Sequence, residues 1–460
     1  MIRSNFSFLE NELGEVLRLF YEEEPDLVHE GSDRGGEWQD VFRLEGETFR
    51  RTHALGLPGD ELIRKRLIKR FAKLSLYEAL SEKFGRSLPY GAITGVRPAK
   101  LFRMLAAEGE QPERYLREVL RVSPEKTALL AEINRVQAPF LAAGEKAADL
   151  YVGVPFCNGR CSYCSFVSCD INRTRKLVRP YAEALCREIG AAADLIREAG
   201  LSLRAIYVGG GTPSSLPAEE IREILEALRG LSAPEFTFEA GRPDSITPEL
   251  LTLLKDFGVN RMSVNPQTVH DRTLEIIGRR HTFADYERAM ETVQKEGFLV
   301  NTDLIMGLPG ETPDDFEVSV RRVAAFRPEN VTVHALSVKQ GSVLKTETRR
   351  IHAEGVARMS AFALDFLRGE GYRPYYTYRQ KYTAGNLENA GYALPGTECV
   401  YNIDNMEETA SVVACGANAI SKRVFEGGSR IERSADPKDV YTYLNKLDDR
   451  ILAKRRLFGL

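Results

Sequence analysis

The sequence predicts an α/β fold built on a parallel sheet, and three observations carry that prediction. Between residues 150 and 340, short β-rich runs alternate with amphipathic helical stretches. The connections are short, so each strand–helix–strand unit has to cross right-handed and lay its strands parallel. The residues that carry chemistry fall after the carboxyl ends of these strands, where parallel α/β sheets hold their sites.

The elements follow in order. Residues 1–145 open with mixed α/β character: DVFRLEGETFRRTHAL (40–55) reads as a hairpin, then come a long basic helix around 60–84, the stretch PYGAITGVRPAKLF and two further helical stretches. No chemical motif stands out there. The repeating part has six strand candidates, LYVGVPF (150–156), RAIYVGG (204–210), EFTFEA (235–240), RMSVNP (261–266), LVNTDLIMGLP (299–309) and NVTVHALSV (330–338). Between them lie helix patterns beginning at Pro180, Pro217, Thr247, Thr282 and Thr312. Thr312 followed by Pro313 and Asp315 is an N-terminal signal, and Gly258 and Gly297 stand where C-terminal glycines belong. Six strands are too few for a closed eight-fold barrel, which leaves an open doubly wound sheet or a partial barrel. Beyond 340 come a helix at 351–370, a tyrosine-rich stretch, YRPYYTYRQKYTAGNLENAGYALPG, and a charged helical end.

Bulk properties narrow the classes. A chain of 460 residues that is 43% hydrophobic suits two or three folded domains. Its 63 basic and 66 acidic residues give a formal charge of −3, so no electrostatic nucleic-acid binder is indicated. MIRSNFSFLENELGEV lacks the apolar centre of a signal peptide, and no run of about 18 apolar residues predicts a membrane span. The cytoplasm is the expected location. Seven cysteines, an odd and sparse set, point to metal or redox use of the clustered ones.

Those are Cys157, Cys161 and Cys164 in GVPFCNGRCSYCSF. Structural zinc is closed by four ligands, and Cys169 is available as a fourth. A [4Fe-4S] cube held by three thiolates instead leaves one iron open to a ligand that is not protein. Gly159 lets the loop wrap closely, and Tyr163 can lay an aromatic face beside a flat ligand or simply pack the loop. GGGTP (209–213) exposes backbone that a ligand can approach closely; a tight strand-to-helix turn would explain it equally well if it stood alone.

These motifs resemble the radical S-adenosylmethionine enzymes: Cys157-x3-Cys161-x2-Cys164 with Tyr163 before the last cysteine, and Gly209 to Pro213 as the methionine-binding stretch. By that resemblance the fold is a partial (βα)6 barrel at 146–340, with an N-terminal α/β domain at 1–145 and a C-terminal α+β extension at 341–460 on the substrate side. LYVGVPFC, YVGGGTPS, TFEAGRPDSIT, RMSVNPQT, IGRRH and DLIMGLPGET further resemble the oxygen-independent coproporphyrinogen III dehydrogenase group, with branches HemN, HemW and HemZ. The leading domain and GNLENAGYALPG look most like the HemZ branch.

The resemblance implies that Cys157, Cys161 and Cys164 hold the [4Fe-4S] cluster and act catalytically. It places Tyr151, Tyr163, Gly210, Thr212, Glu239, Gln267, Arg279 and Asp303 around S-adenosyl-L-methionine. Blander roles exist for several: Glu239 and Asp303 can pair with Arg261 or Arg279, and Gln267 can cap a loop. The implied reaction is oxidative decarboxylation of coproporphyrinogen III propionates to vinyl groups in haem biosynthesis. The implied partners are the tetrapyrrole and an electron donor such as flavodoxin or ferredoxin. Arg280, Lys339 and Arg379 are candidates for the substrate carboxylates, and His270, His281 and His334 for haem ligation. Two positions depart from the group. Phe166 stands where proven decarboxylases carry a further cysteine, and Tyr401-Asn402 stands where the haem-chaperone branch has His-Asn. Haem opening and haem delivery therefore remain alternatives to decarboxylation.

Overall fold

The computed structural model describes the chain except for residues 22, 55, 57, 58, 142, 143, 165, 338–352, 381, 382, 384, 385, 426, 427 and 429, and the side chains of 62 and 353. It divides into two compact units, Met1–Ala131 and Glu132–Leu460.

The first unit is a four-stranded sheet with helices. Strands β1 (Ile2–Ser4), β2 (Leu27–Asp33), β3 (Glu37–Leu44) and β4 (Glu47–Ala54) lie in that order. The expected hairpin is β3–β4, turned at Glu45-Gly46, both with positive φ. Helix α1 (Glu10–Leu17) lies in the opening stretch, where the sequence pattern singles out no helix; α2 (Glu61–Phe84) is the long basic helix, and α3 (Pro98–Ala107), the single turn α4 (Pro112–Arg114) and α5 (Pro124–Gln137) come after it; α5 runs across the boundary at Ala131. Asp60 caps α2 by accepting from the Ile63 amide. The core gathers Leu13, Trp38, Phe42, Tyr77 and Leu80. Asp40 is buried within it and accepts from Trp38 Nε1 at 2.8 Å and Ser75 Oγ at 2.6 Å, which satisfies the carboxylate.

The second unit carries the repeat. Its strands β5 (Ala147–Val154), β8 (Ser202–Gly210), β9 (Glu235–Phe238), β10 (Arg261–Ser263), β11 (Leu299–Met306) and β12 (Asn330–Ala335) lie side by side in chain order, all parallel. A short pair, β6 (Phe156–Cys157) and β7 (Cys169–Asp170), brackets the cysteine loop. The intervening helices are α6 (Arg175–Glu198), α7 (Ala218–Ala227), α8 (Pro248–Asp256), α9 (Asp271–Ile276), α10 (Phe283–Lys295) and α11 (Pro313–Ala325). Thr282 and Thr312 each close a capping box with the aspartate three residues on. Helix α6 begins five residues before Pro180, so the proline lies within its second turn instead of opening it. Nothing in Arg175 to Arg179 opposes helix, and Val178, Tyr181, Ala182 and Leu185 form one buried face.

The C-terminal segment does more than extend one side. After α12 (Ala353–Gly369), strands β13 (Arg373–Arg379) and β14 (Glu388–Ala393) add antiparallel beyond β12. After α13 (Val400–Glu407), β15 (Ser411–Cys415) pairs parallel with β5 at the opposite edge and is followed by β16 (Ile420–Phe425) and β17 (Arg430–Ala435). Helices α14 (Val440–Asn445) and α15 (Leu447–Phe458) end the chain. Both edges of the six-strand run are thereby paired, and the edges of the eleven-stranded sheet fall on β13 and β17 instead. A single large core, from Leu150 and Val152 through Met290 and Val320 to Val413 and Phe458, joins these parts. Among the described residues no helix is long and apolar enough to cross a membrane.

Candidate active site

The cysteine loop is fixed by backbone before any ligand is considered. Cys169 donates its amide to the Pro155 carbonyl at 2.7 Å and Ile171 to that of Cys157 at 3.0 Å. Within the loop the Cys164 amide reaches the Cys161 carbonyl at 3.1 Å, and Ser162 donates to Ile277 at 3.0 Å. Arg242, itself buried, donates to the Asn158 carbonyl at 2.8 Å. The GGGTP stretch seals the other side: Gly211 donates to Val154 and Thr212 to Phe156, each at 2.7 Å. A Cβ on Gly211 would stand 2.5 Å from the Phe156 carbonyl oxygen and 3.0 Å from Cys157 Sγ, so only glycine lets this turn lie flush against the loop.

Cys157, Cys161 and Cys164 are half-buried in this frame. Burial pushes the Cys157 thiol up and that of Cys164 up to about 11, with the neighbouring cysteines adding to both. Thr212 Oγ1 lies 3.6 Å from Cys157 Sγ and opposes that rise. Cys169 packs against the main core from β7. Among the described residues no group of three His, Cys, Asp or Glu side chains is arranged around one metal ion. The set that shares the loop is three thiols, the number a cluster with one open iron requires. Ligation will release their protons.

The strand ends place the remaining candidates. Tyr163 is half-buried, and Arg279 donates to its hydroxyl at 3.0 Å. The same guanidinium donates to the carbonyls of Gly241 at 2.9 Å and Asn265 at 2.7 Å, so Arg279 is a buried clamp that ties Tyr163 to the loops after β9 and β10. Glu239 follows β9 and accepts from the Gly210 amide at 3.2 Å. Burial first, and Asp303 second, push its carboxyl from 4.5 up to about 7. Asp303, on β11, has His334 Nε2 3.6 Å from its carboxylate. Gln267 adopts a φ of 70°, bridges to Leu304 across β11, and buries a side-chain oxygen that has no hydrogen-bond partner. Tyr151, on β5, lies beside Glu239 and Gly210. Tyr151, Gly210, Thr212, Glu239, Gln267 and Asp303 thus meet at one end of the sheet.

The expected pairing of Glu239 or Asp303 with arginine does not occur. Arg261 lies 3.4 Å from Glu235 and donates to Asn301 at 2.9 Å and to the Thr397 carbonyl at 2.9 Å. Among the proposed substrate cations, Arg379 is buried and donates to Asn386 at 3.3 Å, Arg280 lies against Gly159 of the cysteine loop, and Lys339 lies outside the described residues. Of the histidines, His270 shares a hydrogen bond with the Asp315 carbonyl at 2.9 Å. His281 is buried with both ring nitrogens unpartnered; burial, then Arg279, holds its value down to about 3. His334 contacts the Tyr378 hydroxyl at 3.2 Å, beside Asp303.

Sequence reading passed over a tyrosine stack. Tyr207 and Tyr401 lie 4.3 Å apart and nearly parallel, with Tyr151 6.3 Å from each. The signal was present in part: Tyr151 and Tyr207 are register partners on neighbouring strands, so the two-residue period puts both on one face. Tyr401 comes from α13 and could not be placed by any local pattern.

Known proteins resemble this chain in sequence and in fold. A family model described as the radical SAM superfamily matches residues 151–323. The oxygen-independent coproporphyrinogen-III oxidase-like protein HemZ of Bacillus subtilis is 35% identical over 379 residues, 79% of this chain and 76% of its own. The haem chaperone HemW of Lactococcus lactis is 31% identical over 276 residues, 57% of this chain and 67% of its own. Among solved structures, coproporphyrinogen III oxidase HemN from Escherichia coli superposes with a TM-score of 0.52 at 21% identity, covering 68% of this chain and 72% of that one. The chain belongs to the radical SAM superfamily, in the family that includes HemN, HemW and HemZ. A [4Fe-4S] cluster and S-adenosyl-L-methionine are its cofactors.

Proposed function

We propose that the protein is a radical SAM enzyme acting on a tetrapyrrole, and that its reaction is the oxygen-independent oxidative decarboxylation of coproporphyrinogen III propionates to vinyl groups. The observation that carries the reading is the pair Glu239 and Asp303, two carboxyl groups at the strand ends without an arginine or lysine partner among the described residues. Such a pair is costly to bury and is offset when a cationic, hydroxyl-rich ligand arrives. The amine and ribose of S-adenosylmethionine supply both features. When bound and given one electron, the cofactors supply a 5′-deoxyadenosyl radical able to take hydrogen from an unactivated carbon.

The chain's own groups bind and orient. Cys157, Cys161 and Cys164 hold the cluster, Tyr163 is steadied by Arg279, and Gly210 and Thr212 bring backbone close to the ligand. Gln267 offers its unpartnered oxygen to a donor. The relation to haem chaperones is weighed against Tyr401, which occupies the position of the chaperone histidine and is buried in the tyrosine stack. A second reading, reductive opening of haem, is favoured by Phe166, which is 69% exposed where proven decarboxylases carry a cysteine.

One oxygen-free experiment separates them. Reconstituted protein is offered coproporphyrinogen III or haem, and the product masses are measured along with methionine and 5′-deoxyadenosine. Decarboxylation yields protoporphyrinogen with 5′-deoxyadenosine in proportion. Bleaching of the haem Soret band with S-adenosylmethionine consumed supports the second reading, and haem bound without consumption overturns both.

A further inference from the structure

The strand that leads into Glu239 begins at Glu235, and the two carboxyl groups hold different parts of the molecule. Glu235 is buried and accepts from the start of α13: from the Val400 amide at 2.9 Å, the Tyr401 amide at 3.1 Å and the Cys399 thiol at 3.2 Å. A carboxylate at that place meets unpaired amides and the positive end of the helix dipole. The neighbouring strands grip the same helix. Arg261 of β10 donates to the Thr397 carbonyl just ahead of it at 2.9 Å, and Arg204 of β8 lies 2.9 Å from Asp404 within it. The backbone that carries Tyr401 is thus fixed by β8, β9 and β10, the strands whose carboxyl ends lead to Gly210, Glu239 and Gln267.

From that place Tyr401, itself buried, presses on Tyr207. The two rings are 4.3 Å apart and 18° from parallel. Tyr207 in turn closes on Glu239: a Cβ on Gly209 would stand 2.5 Å from Glu239 Oε2 and 2.6 Å from a Tyr207 ring carbon, so the two side chains converge over a position that has to be glycine. The Tyr207 hydroxyl and the Gly210 amide offer hydrogen to the carboxyl and oppose the rise that burial and Asp303 impose. Asp303 has His334 at its own carboxylate. The other titratable groups facing Glu239 are Tyr151 from β5 and Tyr401 from α13, both phenols held neutral by burial.

We propose that Tyr401 is a positioning residue for the S-adenosylmethionine site: its ring braces Tyr207, and Tyr207 keeps its hydroxyl on the carboxyl of Glu239. This role rests on the proposed function, in which Glu239 meets the cofactor. The C-terminal segment thereby reaches the cofactor site through one helix, and the residue at the place of the chaperone histidine has a use of its own. Without the brace the Tyr207 ring has room to turn away. The carboxyl then loses a donor, and its ionised form is harder to reach.

Two midpoints test this, both on the full chain. One is the titration of Glu239 in the cofactor-free protein, followed by its carboxyl infrared band against the Glu239→Gln variant; the other is the pH midpoint of S-adenosylmethionine affinity in the reconstituted protein, by calorimetry. In Tyr401→Leu and in Tyr207→Phe both midpoints should rise by about one unit, the order of one hydrogen bond to a carboxylate. Affinity then falls about tenfold near pH 6 and is unchanged near pH 9, whereas a merely distorted pocket binds weakly at every pH. Tyr401→Phe keeps the ring and should move neither midpoint. The double variant Tyr207→Phe/Tyr401→Leu should go no further than Tyr207→Phe alone, since both act through one hydroxyl. Unchanged midpoints in Tyr401→Leu, an equal shift in Tyr401→Phe, or binding weakened at every pH overturns the proposal. A shift in the infrared titration with none in binding overturns instead the reading on which it rests, because Glu239 then lies outside the cofactor site.

Discussion

At the scale of single residues, the most informative groups are those that are poorly satisfied. Glu239 is half-buried at the end of β9, and desolvation followed by the Asp303 charge pushes its carboxyl from 4.5 up to about 7. The folded state therefore keeps a proton that the unfolded chain gives up, and stability is lost as pH rises from 4.5 through about 7. Replacing it with glutamine should raise the stability of the cofactor-free chain by roughly 3 kcal/mol at pH 8, read from denaturant midpoints, and flatten the pH dependence. The same substitution should weaken S-adenosylmethionine binding about tenfold, since hydrogen bonds to a charged group carry 1.5–3 kcal/mol. A variant that gains stability without losing affinity would remove Glu239 from the ligand site. Binding to the unaltered protein should tighten as pH rises through 7, because the ionised carboxylate is the form that meets a cation. Cys161→Ala should lose both the brown colour of the reconstituted protein and reductive cleavage of S-adenosylmethionine; iron assay and product chromatography check it.

At the scale of elements, local pattern and observed structure agree closely where a signal is local. The helix patterns after β9, β10 and β11 end within a few residues of their glycine and threonine punctuation, because a cap is a contact between neighbours in sequence. The start of α6 differed because Pro180 is tolerated inside a helix whose face is buried along its whole length. Long-range features were not legible: Tyr401 reaches the stack from 250 positions beyond Tyr151, and Arg279 spends its guanidinium on carbonyls that no motif indicates. The cysteine loop was legible because the spacing of Cys157, Cys161 and Cys164 is local in sequence. The turn after β8 offers a test at this scale. Gly211→Ala should push Phe156 and Cys157 aside at a cost of about 1–3 kcal/mol, lowering iron bound per chain while far-ultraviolet circular dichroism is kept. Full iron loading in that variant would show that the close approach is incidental.

At the scale of the whole second unit, the segment after residue 400 is tied into the barrel by a buried ionic network. Glu188 on α6 accepts from the Gly416 amide at 2.7 Å and the Tyr443 hydroxyl at 2.6 Å, and it pairs with Lys454 on α15, which also reaches Asp436 at 2.8 Å. Removing one member leaves uncompensated charge behind, so Lys454→Met should cost about 3–5 kcal/mol, read as a lowered unfolding midpoint. An unaltered midpoint would mean that the network is solvated. Sequence revealed the six repeats and the presence of a C-terminal portion. It did not reveal that this portion supplies strands to both edges, because strand pairing across 260 positions leaves no periodic trace.

The pairing of β15 with β5 also orders events during synthesis. β5 leads directly into the cysteine loop, and the Gly153 carbonyl at its end is held by Tyr181, whose hydroxyl also accepts from Ala417. A nascent chain can hold Cys157, Cys161 and Cys164 long before the strand beside them has been made. Iron delivery should therefore await the finished polypeptide, and a ribosome stalled short of residue 411 should display a chain that scaffold proteins cannot charge with metal. Pulse-labelled iron appearing on such stalled chains would disprove that order.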